Sequence, residues 1–246
     1  MNRLLQLFAD NRAANKTARV QSRLVAEGEE ATLYLYESVV ADDATADWWG
    51  GVSAQSLVPQ IRAITAQTIH LRINSPGGDV FAAQAIAQAI RDTKAHVVAH
   101  VDGYAASAAT VIATAADEIE IADGGFYMVH NAWTLAVGNA QDLIDTAALL
   151  NKVDGSLCSA YAAKCGKPKD EVKAWMDAET WFSAQEAVDA GLVDRIAEGS
   201  KSKASAWNLS AYTGAPATTA DDAALQAHRD RQAQRLSVMG RASPIV

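Results

Sequence analysis

The sequence has few cysteines and prolines, fewer basic than acidic residues, and no long apolar run. Only 2 of its 246 residues are cysteines, and both, Cys158 and Cys165, fall in a segment that we predict to be one helix. Seven helical residues span about 10.5 Å, whereas a disulfide needs Cα atoms within about 7 Å. We therefore predict that the two thiols do not pair and that the protein is cytoplasmic, because reducing compartments keep thiols free.

The charge and the hydropathy exclude several classes of partner. The 21 basic and 29 acidic residues give a net charge of −8, which disfavours a nucleic-acid backbone or an anionic membrane as the main partner. No segment approaches the roughly 20 apolar residues of a membrane span, and the apolar patch near the N-terminus is too short for a secretory signal. No Cys/His cluster has the spacing of a zinc site. We therefore predict no metal, no cofactor, and neither nucleic acid nor membrane as a partner.

Strand-like and helix-like segments alternate along the first half of the chain. Apolar runs rich in β-branched residues predict strands, and alanine-rich runs that follow capping residues predict helices. The predicted strands cover residues 31–36, 70–74, 96–102 and 118–122, and the predicted helices cover 53–66, 79–92 and 107–116. The polar stretch over residues 42–51 is predicted to be a loop. This repetition of strand, tight turn and buried helix indicates an α/β fold with parallel strand pairing.

The second half of the chain is predicted to be mainly helical. A long helix should run over residues 139–165 and end at Gly166, and a shorter one should follow Pro168. The capping box from Ser183 to Glu186 begins a third helix. Gly155, inside the long helix, indicates a bend or a close packing contact. The composition becomes that of a linker after residue 196, which predicts an N-terminal segment over 1–24, a domain over 25–196 and a linker and tail over 197–246.

Ser107 is a single serine among alanines, at the junction of a predicted strand and a predicted helix. Two interpretations remain open at this point. The hydroxyl is either a plain helix cap or a nucleophile beside N–H groups that can hold an oxyanion. A nucleophile needs a base, and among the 5 histidines His130 lies at the end of an apolar strand and the start of a loop. Taken alone, His130 is equally well explained as a buried structural imidazole.

A glycine-containing turn, Ser75-Pro-Gly-Gly78, precedes the predicted helix over residues 79–92. Pro76 fixes one backbone angle, and the glycines let the backbone approach another group closely. The first N–H groups of the following helix point into this turn. The turn is also explained as a tight connection capped by Asp79, so by itself it does not identify a site.

Taken together, four separated motifs resemble the Clp-type (ClpP-like) serine peptidases. They are Asn74-Ser-Pro-Gly-Gly78, Gly103-Tyr-Ala-Ala-Ser-Ala108, Met128-Val-His130, and Glu179-Thr-Trp-Phe-Ser-Ala-Gln-Glu-Ala187 with Gly191-Leu-Val-Asp194 after it. The resemblance covers about residues 25–196 and implies a ClpP/crotonase-like α/β spiral of β-β-α units with a long protruding handle helix. Within this family, Glu-Thr-Trp and the tail resemble the phage head maturation (prohead) proteases.

The resemblance also implies roles for individual residues. Ser107 would be the nucleophile and His130 the general base, and the N–H groups of Gly78 and Ala108 would form the oxyanion hole. The family position for an aspartate falls on Glu179, with Asp177 as the alternative acid. A peptide would be held as an added strand between residues 78–80 and 133–135, so that Val80 and Trp133 contact the substrate.

The resemblance implies polypeptide substrates, capsid and scaffold proteins above all, and a homo-oligomeric ring. The sequence contains no G-x-x-x-x-G-K-[ST] motif, so an unfolding ATPase would be a separate partner. Three alternatives stay open: a housekeeping Clp peptidase coupled to an ATPase, an acyl-CoA enzyme of the crotonase class, and a non-enzymatic assembly protein.

Overall fold

The computed structural model describes residues 24–201, Tyr212, Gly214 and Ala215. Most of the predicted N-terminal segment, and most of the predicted tail beyond Lys201, lie outside these described residues. The statements below refer to the described residues alone.

Ten strands and seven helices follow one another along this part of the chain. The strands are β1 (Leu24–Glu27), β2 (Glu30–Leu35), β3 (Val39–Val40), β4 (Val52–Ser53), β5 (Thr68–Ser75), β6 (His96–Ala106), β7 (Glu118–Asp123), β8 (Phe126–Val129), β9 (Thr180–Ser183) and β10 (Arg195–Lys201). The helices are α1 (Asp43–Trp49), α2 (Ala54–Arg62), α3 (Val80–Arg91), α4 (Ala108–Ala113), α5 (Ala140–Cys165), α6 (Lys169–Asp177) and α7 (Ala184–Asp189).

One sheet with the strand order β1-β2-β5-β6-β7-β10 organises the fold. All neighbours in this order pair in parallel except β1 and β2, which are antiparallel. The far end of β6 leaves β7 and pairs in parallel with β8, and β8 pairs antiparallel with β9. The mixed α/β fold predicted from the alternating segments is confirmed.

The long strand β6 and the helices α3 and α4 form the centre of the core. Residues of β5 alternate between buried and half-buried positions, as expected for a strand with one covered face. The small buried side chains of α3 and α4, mostly alanines, allow these helices to lie close to the sheet and to each other. This packing fixes the turn before α3 and the turn before α4, and both turns border the site described below.

Several helix boundaries follow from the caps that the sequence predicts. The Ser53 and Asp79 side chains accept hydrogen bonds from the N–H groups of Ser56 and Ala82, so they cap α2 and α3. Ser183 and Glu186 form the predicted capping box of α7. Gly166 ends α5 in the left-handed conformation. These predictions are confirmed because a cap is set by side-chain chemistry within one turn of the helix.

Other local predictions are wrong. The predicted loop over residues 42–51 contains α1, whose N-cap Asp42 accepts a hydrogen bond from the Thr45 N–H. Strand β6 continues four residues beyond the predicted end at residue 102, because its second half gains a new neighbour in β8. The close packing contact considered for Gly155 is absent, since a Cβ added there meets nothing within 4 Å, while the alternative, a bend, stays a prediction. Strand β10 runs through the predicted boundary at residue 197 as far as Lys201.

The long helix α5 leaves the body of the fold at its N-terminal end. Its 26 residues correspond to about 39 Å of helix, and its buried residues begin only at Val153. The two cysteines, both on α5, are free, as predicted. None of the described helices has the length and apolar character required to cross a bilayer.

Candidate active site

Strands β6 and β8 bring Ser107 and His130 together. Ala106, the last residue of β6, pairs with Met128 of β8, and the Ser107 N–H donates a 3.0 Å hydrogen bond to the Met128 carbonyl. Ser107 therefore begins the turn after β6, and His130 begins the loop after β8. The His130 Nε2 and Ser107 Oγ atoms lie 2.7 Å apart, within the range of a hydrogen bond.

The Ser107 hydroxyl does not cap helix α4. Ser107 occupies the N-cap position, but its side chain makes no capping hydrogen bond, and its φ of 55° and ψ of −126° are far from ordinary cap geometry. The plain helix-cap interpretation is therefore wrong. Among the described residues, Ser107 and Glu179 are the two non-glycine residues with positive φ. Such strained backbone is costly and persists where the surrounding structure holds it, typically at functional sites.

His130 is buried, and its burial keeps the imidazole neutral. The side chain is 8% exposed, and the loss of hydration lowers the pKa of His130 to about 4, although the nearby Glu179 carboxylate acts in the opposite direction. A neutral imidazole that accepts the Ser107 proton at Nε2 carries its own proton on Nδ1. That Nδ1 atom faces the Glu179 carboxylate, with 4.0 Å between Nδ1 and Oε2.

Glu179, and not Asp177, is the carboxylate that approaches His130. Asp177 ends helix α6, where its carboxylate accepts hydrogen bonds from the Asn131 side chain and from the Lys173 ammonium group. These bonds lower the pKa of Asp177, with Asn131 as the larger cause. Glu179 lies two residues later, where its left-handed backbone conformation turns the chain from α6 into β9.

The glycine turn before α3 lies against the turn that carries Ser107. A Cβ added at Gly77 would collide with the Ala106 carbonyl oxygen and would lie 2.7 Å from the Ala108 nitrogen. Gly78 has a φ of 142°, and a Cβ there would collide with the Val39 carbonyl oxygen. Among the described turns and caps, no backbone hydrogen bond comes from the N–H of Gly78 or Ala108. Within the described part of the chain these two N–H groups therefore donate no such bond, and both residues line the same cavity as Ser107.

A cavity of about 320 Å³ opens beside Ser107 and His130. Gly78, Ala108, Val80 and Trp133, the other residues predicted for the oxyanion hole and for substrate contact, also line it. The prediction that residues 78–80 offer an extended edge is wrong for Val80, which is the first residue of α3. The main chain beside Gly78 is already paired, since the Val39 N–H donates to the Gly77 carbonyl and the Asp79 N–H donates to the Val39 carbonyl.

Two contributors to the site were missed by the sequence analysis. Asp154 on α5 accepts a hydrogen bond from the Ala132 N–H and so fixes the loop after His130. Tyr212, which belongs to the predicted tail, lines the cavity and packs edge-on against the His130 ring. Asp154 is 22 residues from Ala132 in the sequence, so no local pattern could have indicated this contact. Tyr212 and Trp207 are the two aromatic residues in the mostly small and polar stretch over residues 199–220, and that contrast was the available signal.

No metal centre accompanies this site in the part of the chain that the structure describes, where His, Cys, Asp and Glu side chains nowhere gather in groups of three or more able to hold an ion.

Comparison with known proteins identifies the family. The family model described as Clp protease matches residues 15–200, so the chain belongs to the Clp protease family, a family of serine-type peptidases. The ATP-dependent Clp protease proteolytic subunits of Streptococcus pneumoniae and Streptococcus salivarius are each 32% identical over 151 residues, which is 58% of this chain and 77% of theirs. A ClpP1 point mutant from Listeria monocytogenes has the same fold, with a TM-score of 0.57 at 23% identity over 68% of this chain and 91% of its own.

Proposed function

We propose that this protein is a serine endopeptidase in which Ser107 is the nucleophile, His130 the general base and Glu179 the acid of the triad. The observation that carries the proposal is the 2.7 Å contact between Ser107 Oγ and a neutral, buried imidazole at the wall of an open cavity. A hydroxyl is a weak nucleophile unless an adjacent base removes its proton, and this contact supplies the base.

In the proposed reaction, His130 Nε2 takes the Ser107 proton while Oγ attacks the carbonyl carbon of the scissile peptide. The negative charge that develops on the carbonyl oxygen is held by the N–H groups of Gly78 and Ala108, and each such donor typically contributes about 3 kcal/mol. His130 then gives its proton to the leaving amine, which departs and leaves an acyl group on Ser107. Water enters, His130 removes one of its protons, and the resulting hydroxide attacks the ester carbonyl. His130 then returns the proton to Ser107 Oγ as the bond between Oγ and the acyl carbon breaks, which releases the new carboxylic acid and restores Ser107.

Glu179 would act through His130 and not on the peptide. The imidazole carries a positive charge at both proton-transfer steps, and a carboxylate near Nδ1 stabilises that charge and holds the productive tautomer. The 4.0 Å separation is longer than a hydrogen bond, so the contribution is mainly electrostatic in this geometry.

The cavity favours a substrate with an apolar side chain next to the scissile bond. Val80, Phe81, Trp133, Leu149 and Val153 contribute to its lining beside Ser107. Burying an apolar side chain there would contribute roughly 1.5–3 kcal/mol to binding. Val80 would contact the substrate through its side chain, because its backbone belongs to α3.

For the biological substrate, we propose capsid and scaffold proteins processed during the assembly of a phage head. The sequence Glu179-Thr-Trp181 and the chain beyond the peptidase domain support this assignment by resemblance. The second candidate is a proteolytic subunit that works with a separate ATPase, which the name of the streptococcal relatives favours. A homo-oligomeric ring, in which the handle helix α5 makes contacts between copies, belongs to either candidate.

Covalent labelling with a fluorophosphonate probe tests the peptidase proposal. We expect one serine to be labelled, with the modification mapped to Ser107 by mass spectrometry and lost in Ser107→Ala. The matched control is Ser159→Ala, which removes a partly exposed hydroxyl on α5 and should leave labelling unchanged. A folded protein without labelling at Ser107 would contradict the proposal and favour the crotonase-class or non-enzymatic alternative.

Incubation with candidate substrates separates the two biological roles. Purified capsid and scaffold proteins should be cleaved at defined positions by the wild type without ATP, and should stay intact with Ser107→Ala. Cleavage of folded proteins that occurs only when a Clp-type ATPase and ATP are added would instead support the housekeeping candidate.

A further inference from the structure

Tyr212 joins three separate parts of the proposed active site. Its hydroxyl donates a 2.7 Å hydrogen bond to the carbonyl of Pro76, in the turn that leads to Gly78. Its ring packs edge-on against His130, with 5.6 Å between ring centroids, and against Trp181 of β9, with 5.8 Å. The side chain is only 7% exposed, although it comes from the region of the sequence that was predicted to be a linker.

The residues after Tyr212 contact the carboxylate of the site. The Gly214 N–H donates a 3.1 Å hydrogen bond to Oε1 of Glu179, while Oε2 of the same carboxylate faces His130. Gly214 also lies close to Trp181, since a Cβ added at Gly214 would be 3.2 Å from Cδ1 of that ring. Ala215 packs beside Tyr212 in the same small apolar cluster, which includes Tyr104 and Met128. Tyr212, Gly214 and Ala215 are called the tail clasp below.

We propose that the tail clasp is a positioning element of the active site, in which Tyr212 holds the His130 ring and the Pro76 carbonyl in place and Gly214 orients the Glu179 carboxylate. This inference rests on the proposed peptidase function. The Tyr212 hydroxyl also lies within hydrogen-bond reach of the Ser107 side chain. No step of the proposed reaction uses this hydroxyl, so Tyr212 is a positioning residue that acts through Ser107, His130 and Pro76.

The geometry favours a positioning role over an inhibitory one. An inhibitory segment would fill the cavity or separate Ser107 from its base, whereas here Tyr212 forms one wall of an open cavity of about 320 Å³. The Ser107 and His130 contact is intact at 2.7 Å, and the Tyr212 hydroxyl is engaged by Pro76. Burial raises the pKa of Tyr212 and the Glu179 charge adds to this, while the hydrogen bond with the Ser107 side chain acts in the opposite direction. Burial is the largest cause, so the hydroxyl remains a donor at neutral pH.

The two functions of the Tyr212 side chain can be removed separately. Tyr212→Phe deletes the hydroxyl, and with it the hydrogen bond to Pro76 and the interaction with the Ser107 side chain, but keeps the ring against His130. We therefore expect the maximal rate of fluorophosphonate labelling of Ser107 to fall about fivefold. Tyr212→Ala also releases the His130 ring, and we expect a loss of about 100-fold, because small displacements of catalytic groups are costly. The probe concentration that gives half-maximal labelling should change about twofold or less, since Tyr212 positions groups and does not provide binding energy.

The pH dependence of labelling distinguishes positioning from a general loss of structure. Tyr212 covers one side of His130, so Tyr212→Ala should admit water and move the midpoint of the rate profile from about 4 toward the ordinary histidine value near 6.5. A variant that merely unfolded in part would lose amplitude without a shift in midpoint. Tyr34→Ala, which removes a tyrosine of β2 that packs edge-on against Tyr36, is the control and should leave both rate and midpoint unchanged.

The outcomes separate this inference from the proposed function. Absence of Ser107 labelling in the wild type overturns the peptidase function, and the positioning role falls with it. If the wild type is labelled and both Tyr212 variants have the same rate and midpoint as the wild type, the positioning role alone is overturned. A rise in labelling rate in either variant also overturns it, because a rise is the signature of an inhibitory segment. Tyr212→Phe keeps the buried ring, so it provides the test even if Tyr212→Ala fails to fold.

Discussion

At the scale of single residues, the burial of His130 sets the pH range in which the proposed activation of Ser107 can occur. In the proposed mechanism only the neutral imidazole accepts the Ser107 proton, so we expect activity to be lost as the pH falls through the pKa of His130 in the folded protein. That pKa is about 4, whereas an exposed histidine titrates near 6.5. We therefore expect the rate of Ser107 labelling at pH 5.5 to stay within about twofold of the rate at pH 7.5. A fall of about tenfold over the same interval would show an ordinary, hydrated histidine.

Two carboxylate variants are the matched pair for this measurement. Glu179→Gln removes the negative charge that raises the pKa of His130, so the midpoint should move to still lower pH. The same change should lower the rate at pH 7.5 by roughly 100-fold, because the imidazolium that forms during the reaction loses its partner. Asp177→Asn removes the charge of the neighbouring carboxylate but leaves Glu179 in place. The labelling rate and the midpoint of this variant should match those of the wild type. The reverse pattern would assign the acid to Asp177.

The strained backbone at Ser107 and Glu179 also belongs to the residue scale. Both residues have left-handed φ values, near 55° and 49°, which non-glycine residues adopt only at a cost. Around Ser107 that cost is offset by the Met128 carbonyl, which accepts the Ser107 N–H, and by the Thr110 hydroxyl, which donates to the Ser107 carbonyl. The strain aims the Ser107 hydroxyl at His130 instead of at the N–H groups of α4.

At the scale of the element, a glycine inside the handle helix α5 and the glycine that caps its C-terminal end have opposite conformational requirements. Gly155 lies inside the helix on an exposed face, and a Cβ there meets nothing within 4 Å. Gly155→Ala should therefore raise the free energy of unfolding by about 0.5–1 kcal/mol, because alanine loses less backbone entropy on folding.

Gly166→Ala, at the C-terminal cap of the same helix, is the matched control. A Cβ at Gly166 also meets nothing within 4 Å, but its φ of 68° is unfavourable for alanine. We expect a loss of about 1 kcal/mol there from backbone conformation alone. Urea denaturation of both variants measures the change in the free energy of unfolding that each substitution causes. Equal effects of the two substitutions would show that the helix does not end at Gly166 in solution.

At the scale of the whole molecule, the exposed apolar residues of the handle helix bear on self-association. Leu143, Ile144 and Leu149 are 46%, 60% and 50% exposed in the first turns of α5, and Val137, just before the helix, is 91% exposed. Contiguous exposed apolar side chains of this kind commonly mark protein interfaces. They support the proposal that copies of this chain assemble through α5.

Substitution of one of these residues tests the proposed assembly. Ile144→Asp places a charge in the apolar patch, and we expect the molar mass measured by light scattering to fall toward that of a monomer, 26.0 kDa. Lys94→Gln, in the exposed loop after α3, changes the net charge by the same amount and should leave the mass unchanged. An unchanged mass in Ile144→Asp, at concentrations where the wild type is oligomeric, would exclude this face from the interface.

Local signals in the sequence determined much of the fold. The alternation of strands and helices, the caps Ser53, Asp79 and Ser183, and the end of α5 at Gly166 all depend on residues within one helical turn of each other. The sequence also pointed to Ser107 and His130 as candidates, because each stands at the end of a strand-like run. It did not predict α1, whose cap at Asp42 lies in a stretch with the composition of a loop.

The tertiary structure alone decided which candidates meet. Ser107 and His130 are 23 residues apart and come together because β6 pairs with β8. The choice of Glu179 over Asp177 depends on a backbone turn between α6 and β9, and the contact of Tyr212 with Pro76 joins residues 136 positions apart. The neutral state of His130 likewise follows from burial by several segments. Side-chain capping and strand periodicity depend on residues close together in the sequence. The proximity of the site residues and the desolvation of His130 arise from the packing of distant segments, so only the tertiary structure decides them.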